Sequence, residues 1–247
     1  MHWNLLLDSD AHPGSVNMAV DQALLEDAAR SGRAYLRLYR WDPPCLSFGR
    51  NEPALTRYDR AEIERRGLDV VRRPTGGRAV WHEDEVTYAV AAPCASFGTL
   101  AETYRAIHER LAAALRSLGI SAALAPAGRP RDLAAGPCFA APVGGEIVAH
   151  GRKVVGSAQV REGGAFLQHG SILLGGSQDV VRAVARGPAA PAAPPAEGGL
   201  RTLAGRPLGF ADVAHAIVAA WIPAPEPGAP PAVDRSRFSD PRWTWRR

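Results

Sequence analysis

The sequence predicts an α/β protein of the α+β kind, a mixed β-sheet flanked by helices. Three observations predict it. Strand-like and helix-like segments are intermingled without the regular alternation of a parallel doubly wound sheet. The 247 residues are 46% hydrophobic and 22% charged, the balance of a globular chain with a real core. There is no glycine-rich dinucleotide fingerprint, no P-loop and no internal repeat. The length is long for one ordinary domain and short for two. Too few residues follow the Ala/Pro-rich stretch for a second core, so residues 1–247 read as one domain with a low-complexity surface excursion at about 187–199.

The elements follow in order. Trp3 to Leu7 is a short strand. Ser15 or Asn17 can cap a helix running to about Arg30, which Gly32 closes. AYLRLYRW alternates apolar and polar residues as a strand does. Pro43-Pro44 breaks it, and CLSFGR resumes extended structure. Tyr58 to Gly67 carries a helical pattern. LDVVRR and RAVWH are strands separated by the PTGG turn. VTYAVAAP is apolar almost throughout, so it is central and buried. Thr99 to Gly119 is the strongest helix, with Leu100, Ile107, Leu111, Leu115 and Leu118 at helical spacing. Ala125 to Gly145, rich in Pro, Gly and Ala, is a long loop. EIVAHGRKVVGSAQ is a hairpin turning at His150-Gly151. Phe166 to Leu174 is a further strand, and FADVAHAIVAAW a further helix.

Composition bounds the function. No apolar run is long enough to cross a bilayer. MHWNLLLDSD lacks the basic start and small-residue cleavage site of a signal peptide. Cys45, Cys94 and Cys138 are far apart, giving neither a disulfide framework nor metal-ligand spacing, and a reducing cytoplasm is the natural setting. The net charge is +4 with pI about 9.3. Such a surface suits nucleic acid or an acidic protein equally; only the terminal WTWRR adds to the nucleic-acid case, so neither nucleic acid nor a membrane is expected as a partner.

Four constellations could carry chemistry. In Arg72-Arg73-Pro74-Thr75-Gly76-Gly77-Arg78 through His82, adjacent glycines let a backbone approach a ligand, and arginines add forked donors. The same pattern also serves a tight hairpin with solubilising arginines. In Gly151-Arg152-Lys153 through Gly156-Ser157, Lys153 follows a turn and can reach over the sheet end, while Gly156 and Ser157 leave room for a ligand. A lysine there is also an ordinary edge charge. Cys138, in GPCF, sits in the long loop, where a thiolate could attack an acyl group; a small apolar residue tucked beneath the loop is the other reading. Cys45 and Cys94 adjoin apolar segments and read as structural. His169, in QHGS, is a base, an orienting group or a satisfied structural histidine. No spacing builds a hydrolase triad.

Together these segments resemble the lipoate-protein ligase and octanoyltransferase family, which shares a catalytic fold with biotin protein ligases. The matching pieces are NMAVDQALL, LRLYRWDPPCLSFGR, VVRRPTGGRAVWH, GRKVVGSAQVR and LQHGSILL, with PRWTWRR at the end. The resemblance implies a mixed sheet flanked by helices, with the acyl chain in a tunnel beside RRPTGG. It implies that Lys153 meets the acyl carbonyl and that Arg72, Gly76, Gly77 and His82 line the same pocket. GPCFAAP looks like the active-cysteine segment of the cysteine-dependent octanoyltransferases. The implied reaction moves octanoyl from acyl carrier protein to a lysine of a lipoyl domain, of 2-oxoacid dehydrogenases or the glycine cleavage H protein, through a thioester on Cys138. No cofactor is needed for that reaction. Alternatives within the family are an ATP- and Mg²⁺-dependent lipoate ligase and an octanoyl amidotransferase acting between lipoyl-bearing proteins.

Overall fold

The computed structural model describes residues 2–126, 145–187 and 199–247. In chain order the elements are β1 (Trp3–His12), α1 (Gly14–Ser31), β2 (Ala34–Trp41), β3 (Cys45–Phe48), α2 (Ala54–Arg57), α3 (Arg60–Arg65), β4 (Asp69–Arg72), β5 (Val80–His82) and β6 (Glu85–Pro93). A 3-10 turn (Cys94–Ser96) precedes α4 (Leu100–Ser117). There follow β7 (Ala122–Leu124), β8 (Ile147–Ala149), β9 (Arg152–Lys153), β10 (Val155–Glu162), β11 (Ala165–Leu173), α5 (Asp179–Ala183), α6 (Leu200–Ala204), α7 (Phe210–Ala219), β12 (Glu226–Pro227), α8 (Ser236–Ser239) and α9 (Pro241–Thr244).

The main sheet has six strands in the order β10-β11-β6-β2-β1-β12. It is mixed: β1 runs parallel to β2 and β12, whereas β6 is antiparallel to both β2 and β11, and β10 to β11. Period-2 alternation divides its two faces. Tyr35, Tyr39, Ala89, Ala91 and Leu167 pack with Met18, Leu24 and Leu25 of α1. Leu36, Leu38, Tyr88 and Val90 pack on the other face with Ile107, Leu111 and Leu115 of α4 and Val213 and Ile217 of α7. Each such aliphatic side chain contributes roughly 1.5–3 kcal/mol on burial. With α1 packed on one side and α4 and α7 on the other, β2 is buried on both faces.

The helix ends follow their chemistry. Thr99 caps α4 and Glu102 returns the bond, forming a capping box. Leu100, in the first turn, is the exception to the buried apolar stripe, being 51% exposed. Gly32 ends α1 in the left-handed conformation. Neither Ser15 nor Asn17 caps that helix. Pro13 stands at the N-cap with no side-chain bond; its fixed φ presets the helical entry, and the Asn17 amide holds the carbonyls of His12 and Arg40.

Two three-stranded sheets flank the main one, β4-β3-β5 and β7-β8-β9. The C-terminal residues hold the first in place. Trp243 Nε1 donates to the carbonyl of Arg72 at 2.9 Å, and Trp245 packs with Phe48 and Tyr58. This fixes the RRPTGG segment against the edge of the main sheet. No helix among the described residues is long and apolar enough to cross a membrane.

Candidate active site

A pocket opens where the RRPTGG segment meets the ends of β10 and β11. Its floor is apolar, built by Met18, Tyr39 and Trp41. Gly77, Val80 and His82 form one wall with Arg73; Gly156, Ser157 and Ala158 of β10 and His169, Gly170 and Ser171 of β11 form the other. The wall is thin because glycine is obligatory in it. A Cβ on Gly170 would lie 2.4 Å from the carbonyl oxygen of Gly156 and 2.7 Å from Ser157 Oγ.

Beneath the wall the polar groups satisfy each other. Asp21, on α1, accepts from His169 Nδ1 at 2.7 Å, from Tyr39 at 2.8 Å and from Arg37 at 2.9 Å. Burial alone would raise the Asp21 carboxyl, but His169, Arg37 and Tyr39 outweigh it and hold it below its ordinary range. Burial lowers the His169 imidazole, so it is neutral near pH 7. With Nδ1–H given to the carboxylate, Nε2 accepts from Thr75 Oγ1 at 2.6 Å. Both nitrogens of His169 are therefore engaged within the protein, and it ties α1 to the RRPTGG loop.

His82 is held in the same manner. It stacks on Trp41 at 4.0 Å, and its Nδ1 meets Glu85 Oε1 at 2.8 Å. Nε2 faces Ser47 Oγ at 2.6 Å, and that hydroxyl accepts from Arg73 Nη1 at 2.6 Å. Arg73 Nη2 reaches the carbonyls of Gly76 and Arg78 at 3.0 and 2.9 Å. Arg73 thus bends the diglycine turn around its own guanidinium. Gly77 has a φ of +92° and a Cβ there would meet Arg73 Nη2 at 3.2 Å, so a side chain is strained on both counts.

The residues singled out from the sequence are only partly brought together. Gly77, His82, Gly156, Ser157 and His169 line the pocket. Arg72 does not. It precedes Arg73 on an extended segment and points the opposite way, donating to the carbonyls of Gly49, Arg50, Glu52 and Thr244 at 2.6–3.3 Å. Gly76 contributes its carbonyl to Arg73 and does not itself line the pocket. Lys153 Nζ is bound to Glu146 Oε1 at 2.6 Å, with the lysine side chain 3% exposed, and it is not in the lining. Cys138 lies outside the described residues. Cys45 is fully buried, and burial together with Asp69 pushes its thiol well above the usual range. No group of three or more His, Cys, Asp or Glu among the described residues could hold a metal ion.

Residues 13–222 match the family model described as the lipoyl protein ligase A/B catalytic domain. The chain belongs to that family. Among curated relatives, it is 44% identical over 177 residues to octanoyltransferase LipM of Carboxydothermus hydrogenoformans, covering 70% of this chain and 65% of the relative. It is 43% identical to octanoyltransferase LipM of Kyrpidia tusciae, covering 75% and 71%. The chain therefore spans about two thirds of the length of these relatives. Among solved structures, protein Ta0514 of T. acidophilum with bound lipoic acid superposes with a TM-score of 0.79 at 19% identity over 100% of both chains. Lipoate-protein ligase A bound with ATP gives 0.72 at 21% identity over 99% of each chain. At these identities the structures establish the fold alone.

Several members of the site have no motif of their own. Met18 and Asp21 lie inside NMAVDQALL, which reads as ordinary amphipathic helix. Trp41 ends a strand, Thr87 lies within an apolar run, and Arg73 is indistinguishable in sequence from Arg72. The one signal that separates the two arginines is strand alternation, counted from which side of β4 faces the sheet.

Proposed function

We propose that this protein is a protein N-octanoyltransferase, moving octanoyl from acyl carrier protein to a lysine of a lipoyl domain through a thioester on Cys138. The relatives at 37–44% identity carry the name octanoyltransferase, and the pocket offers an apolar tail a floor of Met18, Tyr39 and Trp41. Each buried methylene contributes about 0.8 kcal/mol of binding.

One observation carries the assignment of the nucleophile. Ser157 on the pocket wall and Gly145, where the described chain resumes after residues 127–144, are both hydrogen-bonded to His108. His108 thereby links Gly145, which follows the segment holding Cys138, to a residue of the pocket wall, and this supports Cys138 as the nucleophile. The other thiols are poorly suited. Cys45 is sealed in the core, and Cys94 follows the far end of β6, seven residues beyond Thr87, roughly 23 Å at strand rise.

The Cys138 thiolate attacks the thioester carbonyl and releases the carrier thiol. The acceptor lysine amine then attacks the acyl-enzyme, giving the amide and returning the thiol. Lys153, a buried cation paired with Glu146, stabilises negative charge that develops near it. Thioesters are already activated, so the transfer needs no nucleotide.

The reading is tested by comparing donors with one lipoyl domain as acceptor. Octanoyl–acyl carrier protein without ATP is expected to give octanoyl-lysine, and free lipoate with ATP and Mg²⁺ to give none. Product only in the second arm makes the protein a lipoate ligase and overturns the proposal.

A further inference from the structure

The described structure holds a buried histidine that the acyl transfer, as derived above, does not use. His108 lies on α4 with no exposed surface. Its Nδ1 is 2.7 Å from the carbonyl oxygen of Gly145, and its Nε2 is 2.8 Å from Ser157 Oγ. A carbonyl only accepts, so Nδ1 carries the hydrogen. Burial pushes the imidazole down to about 4, against the Gly145 bond and with Lys153 adding to the fall. The ring is therefore neutral and Nε2 accepts from the Ser157 hydroxyl. The shorter of the bonds available to Tyr88 then sets the remaining order, its contact with His108 Nε2 being longer at 3.4 Å. Ser157 Oγ accepts from Tyr88 at 2.7 Å, Tyr88 accepts from Gln168 Nε2 at 2.9 Å, and Gln168 accepts from Gln159 Nε2 at 3.1 Å. This directed chain spans β10, β11 and β6.

The other end of His108 grips a neck in the fold. Gly145 N–H donates to the carbonyl of Ala125 at 3.0 Å, and Ala125 N–H to that of Glu146 at 2.7 Å. Gly145 has a φ of +87°, and a Cβ there would meet the ring of Tyr104, one turn before His108, at 3.7 Å. The next residue, Glu146, holds Lys153.

We propose that His108 is a positioning residue for acyl transfer: by donating to Gly145 and accepting from Ser157, it locks the hydrogen-bonded backbones of Ala125 and Gly145 and the adjoining pair of Glu146 and Lys153 against the wall of the acyl pocket. This rests on the octanoyltransferase reading. His108 acts through its bonds to Gly145 and Ser157, so its loss disturbs alignment and not binding of the acyl tail, and misalignment by about an ångström can cost on the order of a hundredfold in rate.

Two measurements test it. Hydrogen exchange on the protein without substrate reads the clamp itself: His108→Ala is expected to raise exchange at residues 145–153 about tenfold or more, with β11 unchanged. Steady-state transfer from octanoyl–acyl carrier protein to a lipoyl domain reads its consequence. His108→Ala is expected to lower kcat about tenfold or more with KM within about twofold. His108→Asn, which restores a donor toward Gly145, recovers most of it. Should His108→Ala not fold, His108→Leu against His108→Asn gives the same comparison. Unchanged exchange at 145–153, or full kcat in a folded His108→Ala or His108→Leu, overturns the inference. An inactive wild type that retains the exchange difference counts against the octanoyltransferase reading alone.

Discussion

Replacing Gly170 with alanine probes the pocket wall where its geometry is tightest. The new Cβ would stand 2.4 Å from Gly156 O, 2.7 Å from Ser157 Oγ and 2.9 Å from Tyr88 Cε1. Favourable carbon contacts lie at about 3.5–4.0 Å, so β10 must move off β11 by roughly 1 Å. Overpacking of this kind costs about 1–3 kcal/mol, and pulling Ser157 from Tyr88 removes a hydrogen bond of about 1 kcal/mol. The sum is about 2–4 kcal/mol. At roughly 2–4 °C per kcal/mol for a chain of this size, thermal unfolding followed by circular dichroism should show Tm falling by about 4–16 °C, with transfer activity lost in parallel. The double variant Ser157→Ala/Gly170→Ala should recover only part of the loss, because the closest contact is to backbone. A Gly170→Ala protein with wild-type Tm and turnover refutes the reasoning.

Other consequences follow from the buried polar groups. Arg72→Leu removes the guanidinium's bonds to the carbonyls of Gly49, Arg50, Glu52 and Thr244, the first three of which keep a second donor; at about 1.5–3 kcal/mol for a hydrogen bond to a charged group, urea unfolding should show a loss of at least about 3 kcal/mol, without a selective rise in the KM for acyl donor. His108 and His169 both have imidazoles lowered by burial, so the unfolded chain binds more protons than the folded one once pH falls below about 6.5. Stability contributed by these groups is present above that pH and declines in acid, with His108 adding a slope of about 1.4 kcal/mol per pH unit down to about pH 4. Urea unfolding at pH 7, 5.5 and 4.5 should show this slope reduced in His108→Gln; an identical slope would argue that the ring is not buried neutral. Cys45→Ala should transfer octanoyl at the wild-type rate in the two-protein assay, as its thiol is buried and held protonated.

Much of the fold is legible from pattern. The apolar run VTYAVAAP is the central β6, and the Thr99–Glu102 capping box opens α4 where the periodicity begins. The His150-Gly151 turn has both residues at positive φ, 49° and 74°, as the hairpin reading requires. The small strand β7 was hidden because its partner β8 lies some twenty residues on, and pairing over that distance leaves no local trace. The site divides in the same way. RRPTGG and GRKVVGS announce themselves through glycine and charge, and part of each, Arg73 with Gly77 and Gly156 with Ser157, lines the pocket. What pattern cannot carry is which of two adjacent arginines turns inward, or that Asp21 of a helix and His169 of a strand 148 residues later share one hydrogen bond. His108 was invisible for a similar reason: at helical spacing, a histidine beside Ile107 and Leu111 reads as one more core-facing residue.

The most direct measurement is intact-protein and peptide mass spectrometry after incubation with octanoyl–acyl carrier protein in the absence of an acceptor. One octanoyl group is predicted per chain, mapped to the peptide containing Cys138, labile to hydroxylamine and discharged when a lipoyl domain is added. An unmodified chain that nonetheless octanoylates or lipoylates the acceptor, or a Cys138→Ala variant that does so at full rate, would contradict the thioester at the centre of this account.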